Sequence, residues 1–235
     1  MNIIAAAPGE DFAHLSSAFI IERVKKNPNL TLTTPTGSTP ISTYARLCQE
    51  ARDGNFNLDD ATVFMLDEYT DLPTYPDGSF QSFLRTHLGD LVFNNRTTVH
   101  TLEPDSDPSQ CLHYDSLLNS VGGLDLAIVG VGRNGHIGFN EPGTSPQSNT
   151  HIIELSADTL EANFKGIQPS LRPRHAITIG IADLIAAKSV LMLVAGDKQQ
   201  VVNQLLQGTV IPEVPATYLL GHPDFTLVVE QTLLD

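Results

Sequence analysis

The chain has only two cysteines in 235 residues, Cys48 and Cys111, far apart and without C-x-x-C spacing. That excludes a disulfide scaffold in a chain long enough to bury a full core, and it favours a reducing compartment. Basic residues are also scarce. Lys plus Arg total 13 against 27 Asp plus Glu, a formal net charge of −14. Such a surface repels DNA, RNA and anionic membrane, so no nucleic-acid partner is expected. None of the basic residues lies between Arg52 and Arg85, or between Arg96 and Arg133. An anionic ligand must therefore be held by backbone amides and a handful of side chains. Long apolar runs are missing too: no window approaches the roughly 18 residues that span a bilayer, and the opening MNIIAAAPGEDF has neither the basic segment nor the apolar core of a targeting peptide. A cytoplasmic protein without a membrane partner is expected.

What is present is globular. Hydrophobic residues make up 41% and charged residues 17%, which excludes a collagen, a coiled coil or a disordered tail. No repeat, low-complexity segment or linker divides the chain, so one domain over residues 1–235 is expected. Short apolar runs at Leu30–Thr34, Thr62–Leu66, Leu124–Gly130 and Ser189–Ala195 read as strands of a central parallel sheet. Helical patterns at Ser42–Ala51, Ser79–Leu88, Ser109–Val121, Ala182–Ala187 and Lys198–Leu206 alternate with them. The expectation is an α/β fold, an open and mostly parallel sheet with helices on both faces in a Rossmann-like three-layer sandwich.

Two segments break the rhythm, Asp71–Gly78 and Gly130–Pro146, the latter with five glycines and two prolines. Both follow closely on an expected strand, where open α/β sheets place their ligands.

Three sites carry chemistry. In Thr34-Pro35-Thr36-Gly37-Ser38-Thr39-Pro40, a strand-to-helix junction, Gly37 permits a tight turn, Ser38 and Thr39 can cap a helix, and Pro40 suits its first turn. Amides exposed there make an anion cradle, although an ordinary capped turn reads the same way. The P-loop spacing and its lysine are absent.

In the second site, the apolar run Val63-Phe64-Met65-Leu66 ends in Asp67-Glu68-Tyr69. At the mouth of a strand, one of two carboxylates can be held partly desolvated with a pKa suited to proton abstraction, while its neighbour contacts backbone or other side chains. A solvated strand end is the alternative.

The third and most specific stretch is GVGRNGHIGFNEPG, residues 130–143. Gly130, Gly132 and Gly135 match G-x-G-x-x-G, but His136–Pro142 does not continue as a helix and the expected acidic partner is not clearly placed, which argues against a nicotinamide or flavin. No cofactor is called for. Asn134, His136 and Glu141 gather an amide, an imidazole and a carboxylate within eight positions, able to fix a tautomer and shuttle protons near neutral pH. A structural hydrogen bond or a metal ligand stays open, though neither H-E-x-x-H nor a close His/Cys cluster occurs.

Lys165, Arg172, Arg174 and Lys198 remain to meet an anionic group. Lys198 follows the last sheet run through Gly196-Asp197, and Lys165 lies in a segment with Phe164 that can close over a pocket. The other seven histidines and both cysteines read as structural or surface residues.

Together PTGSTP (35–40), LDEY (66–69) and GVGRNGHIGFNEPG (130–143), followed by THIIEL and the region ending in Lys198, resemble the glucosamine-6-phosphate deaminase family, within a wider set of sugar-phosphate isomerases and lactonases. The resemblance covers nearly the whole chain. It implies conversion of D-glucosamine 6-phosphate and water to D-fructose 6-phosphate and ammonia. By resemblance Asp67 is the base moving a proton between C2 and C1, and Glu68 supports it. His136 assists ring opening, tuned by Glu141. Gly37, Ser38 and Thr39 form the phosphate loop, and Lys198 contacts phosphate.

Two positions depart from the family pattern. Asn134 stands where many members have Asp, and Lys165 stands where a lid arginine is familiar, which loses a planar two-pronged grip. The allosteric hexamers of the family use an arginine where this chain has Asn149, so no effector response and a monomer or small homo-oligomer are expected. Galactosamine-6-phosphate deamination, 6-phosphogluconolactone hydrolysis and a non-catalytic sugar-phosphate sensor are the alternatives. A sensor should carry an output module, and no spare segment of about 50 residues is present for one.

Overall fold

The computed structural model describes residues 1–71, 78–104, 107–155, 159–160, 164, 167–168 and 172–235. Seven strands form one sheet in the order β1 (Asn2–Ala6), β10 (Phe225–Glu230), β9 (Ser189–Val194), β6 (Leu126–Gly130), β2 (Thr31–Thr34), β3 (Thr62–Met65) and β5 (Thr98–His100). Every pairing in it is parallel. The central strands read as continuous apolar runs because helices cover them: all six residues of β9 are buried, as are five of the six of β10.

The principal α-helices among the described residues are α1 (Glu10–Lys26), α2 (Ile41–Arg52), α3 (Phe80–Val92), α4 (Ser109–Ser120), α5 (Ile181–Ala186) and α6 (Gln199–Leu206). Acidic Glu10 and Asp11 open α1, and Arg23, Lys25 and Lys26 close it, in the sense that suits its dipole. The α1–α2 contact includes a buried hydroxyl pair, Ser16 with Thr43 at 2.7 Å. No helix among the described residues is long and apolar enough to cross a membrane.

The chain order creates a switch point. From β2 it steps outward through β3 to β5, then returns to β6 on the other side of β2 and continues to β9 and β10. Between β2 and β6 the backbone ladder is slight, with one register pair, Leu32 opposite Leu126. The Thr33 hydroxyl fills the gap, donating to the Ile128 carbonyl and accepting from the Ile128 amide, each at 2.8 Å. The crevice beyond the carboxyl ends of two such diverging strands is the natural ligand position in an open α/β sheet.

A second sheet was not anticipated by the apolar runs. After β3 the chain passes through buried Leu66 into β4 (Asp67–Tyr69), which pairs antiparallel with β8 (His175–Thr178), itself antiparallel to β7 (His151–Glu154). These strands are short, and β7 is only half-buried, so they leave no long apolar signature. Their aromatic cluster, Tyr69 and Phe139 with Phe80, Leu160 and Phe164 packed against them, sits beside the switch point. Phe80 and Phe139 stack at 5.7 Å with rings 3° from parallel.

Candidate active site

Asp67 and Glu68 lie at the junction of the two sheets, where the strand-end expectation needs refinement: they continue into β4 instead of facing open solvent. Asp67 is 6% exposed and Glu68 fully buried. Glu68 is a helix cap. One of its oxygens accepts from the amides of Tyr69 (2.8 Å) and Phe80 (2.9 Å), the other from Gln81 (2.9 Å). With Ser79 Oγ accepting from Ser82 N, the first three amides of α3 are satisfied. Burial raises the Glu68 carboxyl, and those three amides oppose the rise.

Asp67 has no such support. Its Oδ1 is buried without a hydrogen-bond partner among the described residues. Burial first, and the Glu68 charge second, push its carboxyl well above the ordinary range. A carboxyl raised by desolvation, with a free oxygen, has the character of a general base.

The loop from Gly130 to Gly143 leaves β6 at the switch point and contains no helix, so the G-x-G-x-x-G spacing does not open one. Three of its glycines are required by close approach, Gly135 against Val214 and two more at the site itself. A Cβ on Gly132 would lie 2.1 Å from the His136 ring. Gly138, at φ +57°, brings the loop against β8 and Asp67: a Cβ there would lie 2.5 Å from Thr178 Oγ1 and 3.6 Å from Asp67 Oδ2. Thus one loop abuts the carboxylate of β4 and carries the imidazole. Asn140, unassigned from sequence, anchors it by donating to the carbonyls of Ile137 and Ile179, each at 2.9 Å.

His136 and Glu141 are close but not hydrogen-bonded, with Nδ1 3.7 Å from Oε1. Glu141 Oε2 accepts from Asn134 Nδ2 at 2.8 Å, and Oε1 accepts from Thr159 Oγ1 at 3.0 Å. Asn134 Oδ1 in turn accepts from the His136 amide at 3.1 Å. Burial lowers the His136 pKa, Glu141 raises it, and the Lys198 charge lowers it further, which keeps a neutral imidazole available.

That influence brings Lys198 to the same region from the β9–α6 connection, where it precedes the first residue of α6. Its ammonium is itself depressed, by burial and then by Arg133, with Asp197 opposing. Arg133 and Asp197 lie 3.5 Å apart on the surface.

At the PTGSTP junction Gly37 adopts φ +93°, as a tight turn requires, and Gly37 and Ser38 are exposed. The expected capping is corrected. Pro40 is the residue before α2, and no side chain caps that helix, so the hydroxyls of Ser38 and Thr39 do not supply the cap. The turn is braced from below by Tyr44, whose hydroxyl donates to the Pro35 carbonyl. Lys165 lies outside the described residues. A groove of about 620 Å³ between the far halves of α2 and α3 contains Cys48, whose thiol is raised by burial. It is remote from the strand ends and shares no residue with this site.

The family model for glucosamine-6-phosphate isomerases and 6-phosphogluconolactonase matches residues 6–228. A glucosamine-6-phosphate deaminase of Geobacillus sp. (strain WCH70) is 36% identical over 240 residues, covering 100% of this chain and 95% of that protein. The chain belongs to the glucosamine-6-phosphate isomerase/6-phosphogluconolactonase family. Within this family, a solved structure described as a monomeric glucosamine-6-phosphate deaminase superimposes with a TM-score of 0.91 at 29% identity, covering 100% of this chain and 99% of that one. The 6-phosphogluconolactonase of Thermotoga maritima shares the fold, with a TM-score of 0.73 at 19% identity over 97% of this chain and 99% of that one.

Proposed function

We propose that the protein is a glucosamine-6-phosphate deaminase, acting on an amino sugar phosphate and releasing fructose 6-phosphate and ammonia. The observation that carries this reading is the meeting, at one switch point, of a desolvated carboxylate with a free oxygen and a neutral imidazole backed by a carboxylate.

The phosphate is held by the turn at Gly37, Ser38 and Thr39 and by Lys198, with Lys165 as a further cation; this orients the sugar without itself lowering the barrier. His136 takes the proton of the anomeric hydroxyl and returns it to the ring oxygen, which opens the pyranose. Asp67 then removes the proton at C2. The C2–H electron pair forms the C1=C2 double bond, and O1 takes up a proton from solvent, giving an enolamine. Asp67 returns its proton to C1 while the nitrogen lone pair forms C2=N. Carbon 1 is thereby reduced and carbon 2 oxidised within one molecule, so no external oxidant is required. Water adds to C2 and ammonia leaves. Glu141 orients His136, and Asn134 fixes Glu141.

The whole chain is read as one such domain, working as a monomer or small homo-oligomer. The purified protein should release ammonia and fructose 6-phosphate in equal amounts from glucosamine 6-phosphate. Hydrolysis of 6-phosphogluconolactone with no ammonia from either glucosamine or galactosamine 6-phosphate would overturn the assignment.

A further inference from the structure

We propose that Thr159 is a positioning residue whose hydroxyl holds the Glu141 oxygen nearest His136 and weakens that carboxylate's pull on the imidazole. The inference rests on the reading of His136 and Glu141 given above and adds a residue to that machinery.

The hydrogen-bond accounting around Glu141 leads to it. Oε2 is occupied by Asn134 at 2.8 Å and Oε1 by Thr159 at 3.0 Å. His136 Nδ1, buried and without a hydrogen bond among the described residues, stands 3.7 Å from the same Oε1. The hydroxyl donates to the carboxylate oxygen that lies nearest the imidazole. Asn134 is not the adjustable partner, because its other end accepts from the His136 amide within the same loop.

Thr159 comes from outside that loop, beyond β7. It is 7% exposed, and its neighbour Leu160 packs on the cluster of Tyr69 and Phe139. The position of its hydroxyl therefore depends on the packing of the second sheet, which also holds Asp67. A neutral donor on Oε1 draws charge from the carboxylate and holds that oxygen 3.7 Å from the ring nitrogen, so the imidazolium gains less from Glu141 than a direct bond would give. Among the described residues, the charged groups acting on His136 are Glu141 from its own loop and Lys198 from the β9–α6 connection; Arg133 and Asp197 act on Lys198.

Thr159→Val keeps the shape and removes the donor, and Thr159→Ser keeps the donor. The free-enzyme pKa of His136 is read directly by NMR titration of its ring protons, identified by their loss in His136→Gln. In Thr159→Val it should rise by about half to one unit, with the serine variant at the wild-type value. The acid limb of kcat/KM for glucosamine 6-phosphate should move up with it, while KM at high pH stays unchanged. Coincident titrations of wild type and a folded Thr159→Val, judged by circular dichroism, would overturn the proposal. An equal shift in the serine variant would do so too, since it would report packing instead of the hydroxyl. An NMR shift without deaminase activity in the wild type would leave Thr159's role standing and remove the functional reading.

Discussion

Asp67→Asn should strongly lower turnover and stabilise the fold, and the second effect is the more demanding test. Asp67 is 6% exposed, its Oδ1 has no partner among the described residues, and Glu68 lies next to it. To serve as a base at neutral pH it must be ionised there, and the native state bears the cost. Leaving a buried polar group unpaired costs about 1–3 kcal/mol, and more for a charge. The asparagine amide also lacks an obvious partner, so the expected gain at pH 8 is about 1–3 kcal/mol. In a chain of this size that raises Tm by about 2–4 °C per kcal/mol.

The pH dependence fixes the sign. The folded pKa lies well above the ordinary 3.8, so between the two values the native state binds a proton that the unfolded chain has released. Wild-type stability is then lost as pH rises through that window, and Asp67→Asn escapes the loss. The difference between the two proteins should be small near pH 4 and grow towards pH 8. Urea denaturation across pH 5.5–9 measures it, with turnover of the variant expected to fall by a factor of about 10² to 10⁴. A variant no more stable than wild type at pH 8, or a difference independent of pH, would refute the assignment of a costly buried charge.

Gly132→Ala should fold yet lose activity by about 100-fold, since its Cβ would displace an imidazole 2.1 Å away; near-normal kcat would mean the ring position is immaterial. Glu68→Gln should cost about 1–3 kcal/mol, because its amide nitrogen opposes one of three donor N–H groups that the carboxylate accepts; chemical denaturation reads this directly. Lys198→Ala should raise KM for the sugar phosphate about tenfold or more with a smaller change in kcat, and unchanged affinity would remove it from the phosphate site. Asp183, pushed up to about 6 by burial and by Asp115, should lose stability as pH rises from about 4 through 6. Asp183→Asn should therefore gain about 1 kcal/mol at pH 8, discounted for partial exposure, with equal stabilities at pH 8 as the contrary result.

The sequence made the parallel core legible because its strands are buried on both faces, so Thr62–Met65 and Ser189–Val194 appear as unbroken apolar runs. The β1 edge strand is largely exposed, and α1 buries Ser16 and Ser17 on its inner face, so neither stands out by periodicity. The three-residue β4 is too short to show alternation at all. The site was legible where chemistry and chain proximity coincide, as in Asn134, His136 and Glu141. Contacts made across the sequence were not. Nothing near Glu68 indicates that it will accept from amides 12 and 13 residues away, and nothing near Thr159 points to a carboxylate 18 residues earlier. The expectation of capping by Ser38 or Thr39 failed because the residue types suit a cap while the chain places Pro40 at that position.

Adjacent acids with one local environment would be interchangeable, and hydrogen-bond accounting is what separates Asp67 from Glu68. Glu68 is the more deeply buried, yet three backbone amides converge on it, two at the start of α3 and one from Tyr69, so its negative charge is solvated by the protein. It cannot also accept a proton from substrate without releasing the helix. Asp67 keeps a free oxygen because β4 turns its neighbour, and not itself, toward those amides. The side-chain alternation of a strand assigns the two carboxylates to opposite faces, one toward a helix terminus and one beside Gly138, where the lack of a side chain lets the loop pack against it. In the proposed reaction the base is reactive because the fold satisfies the carboxylate beside it and leaves this one unsatisfied.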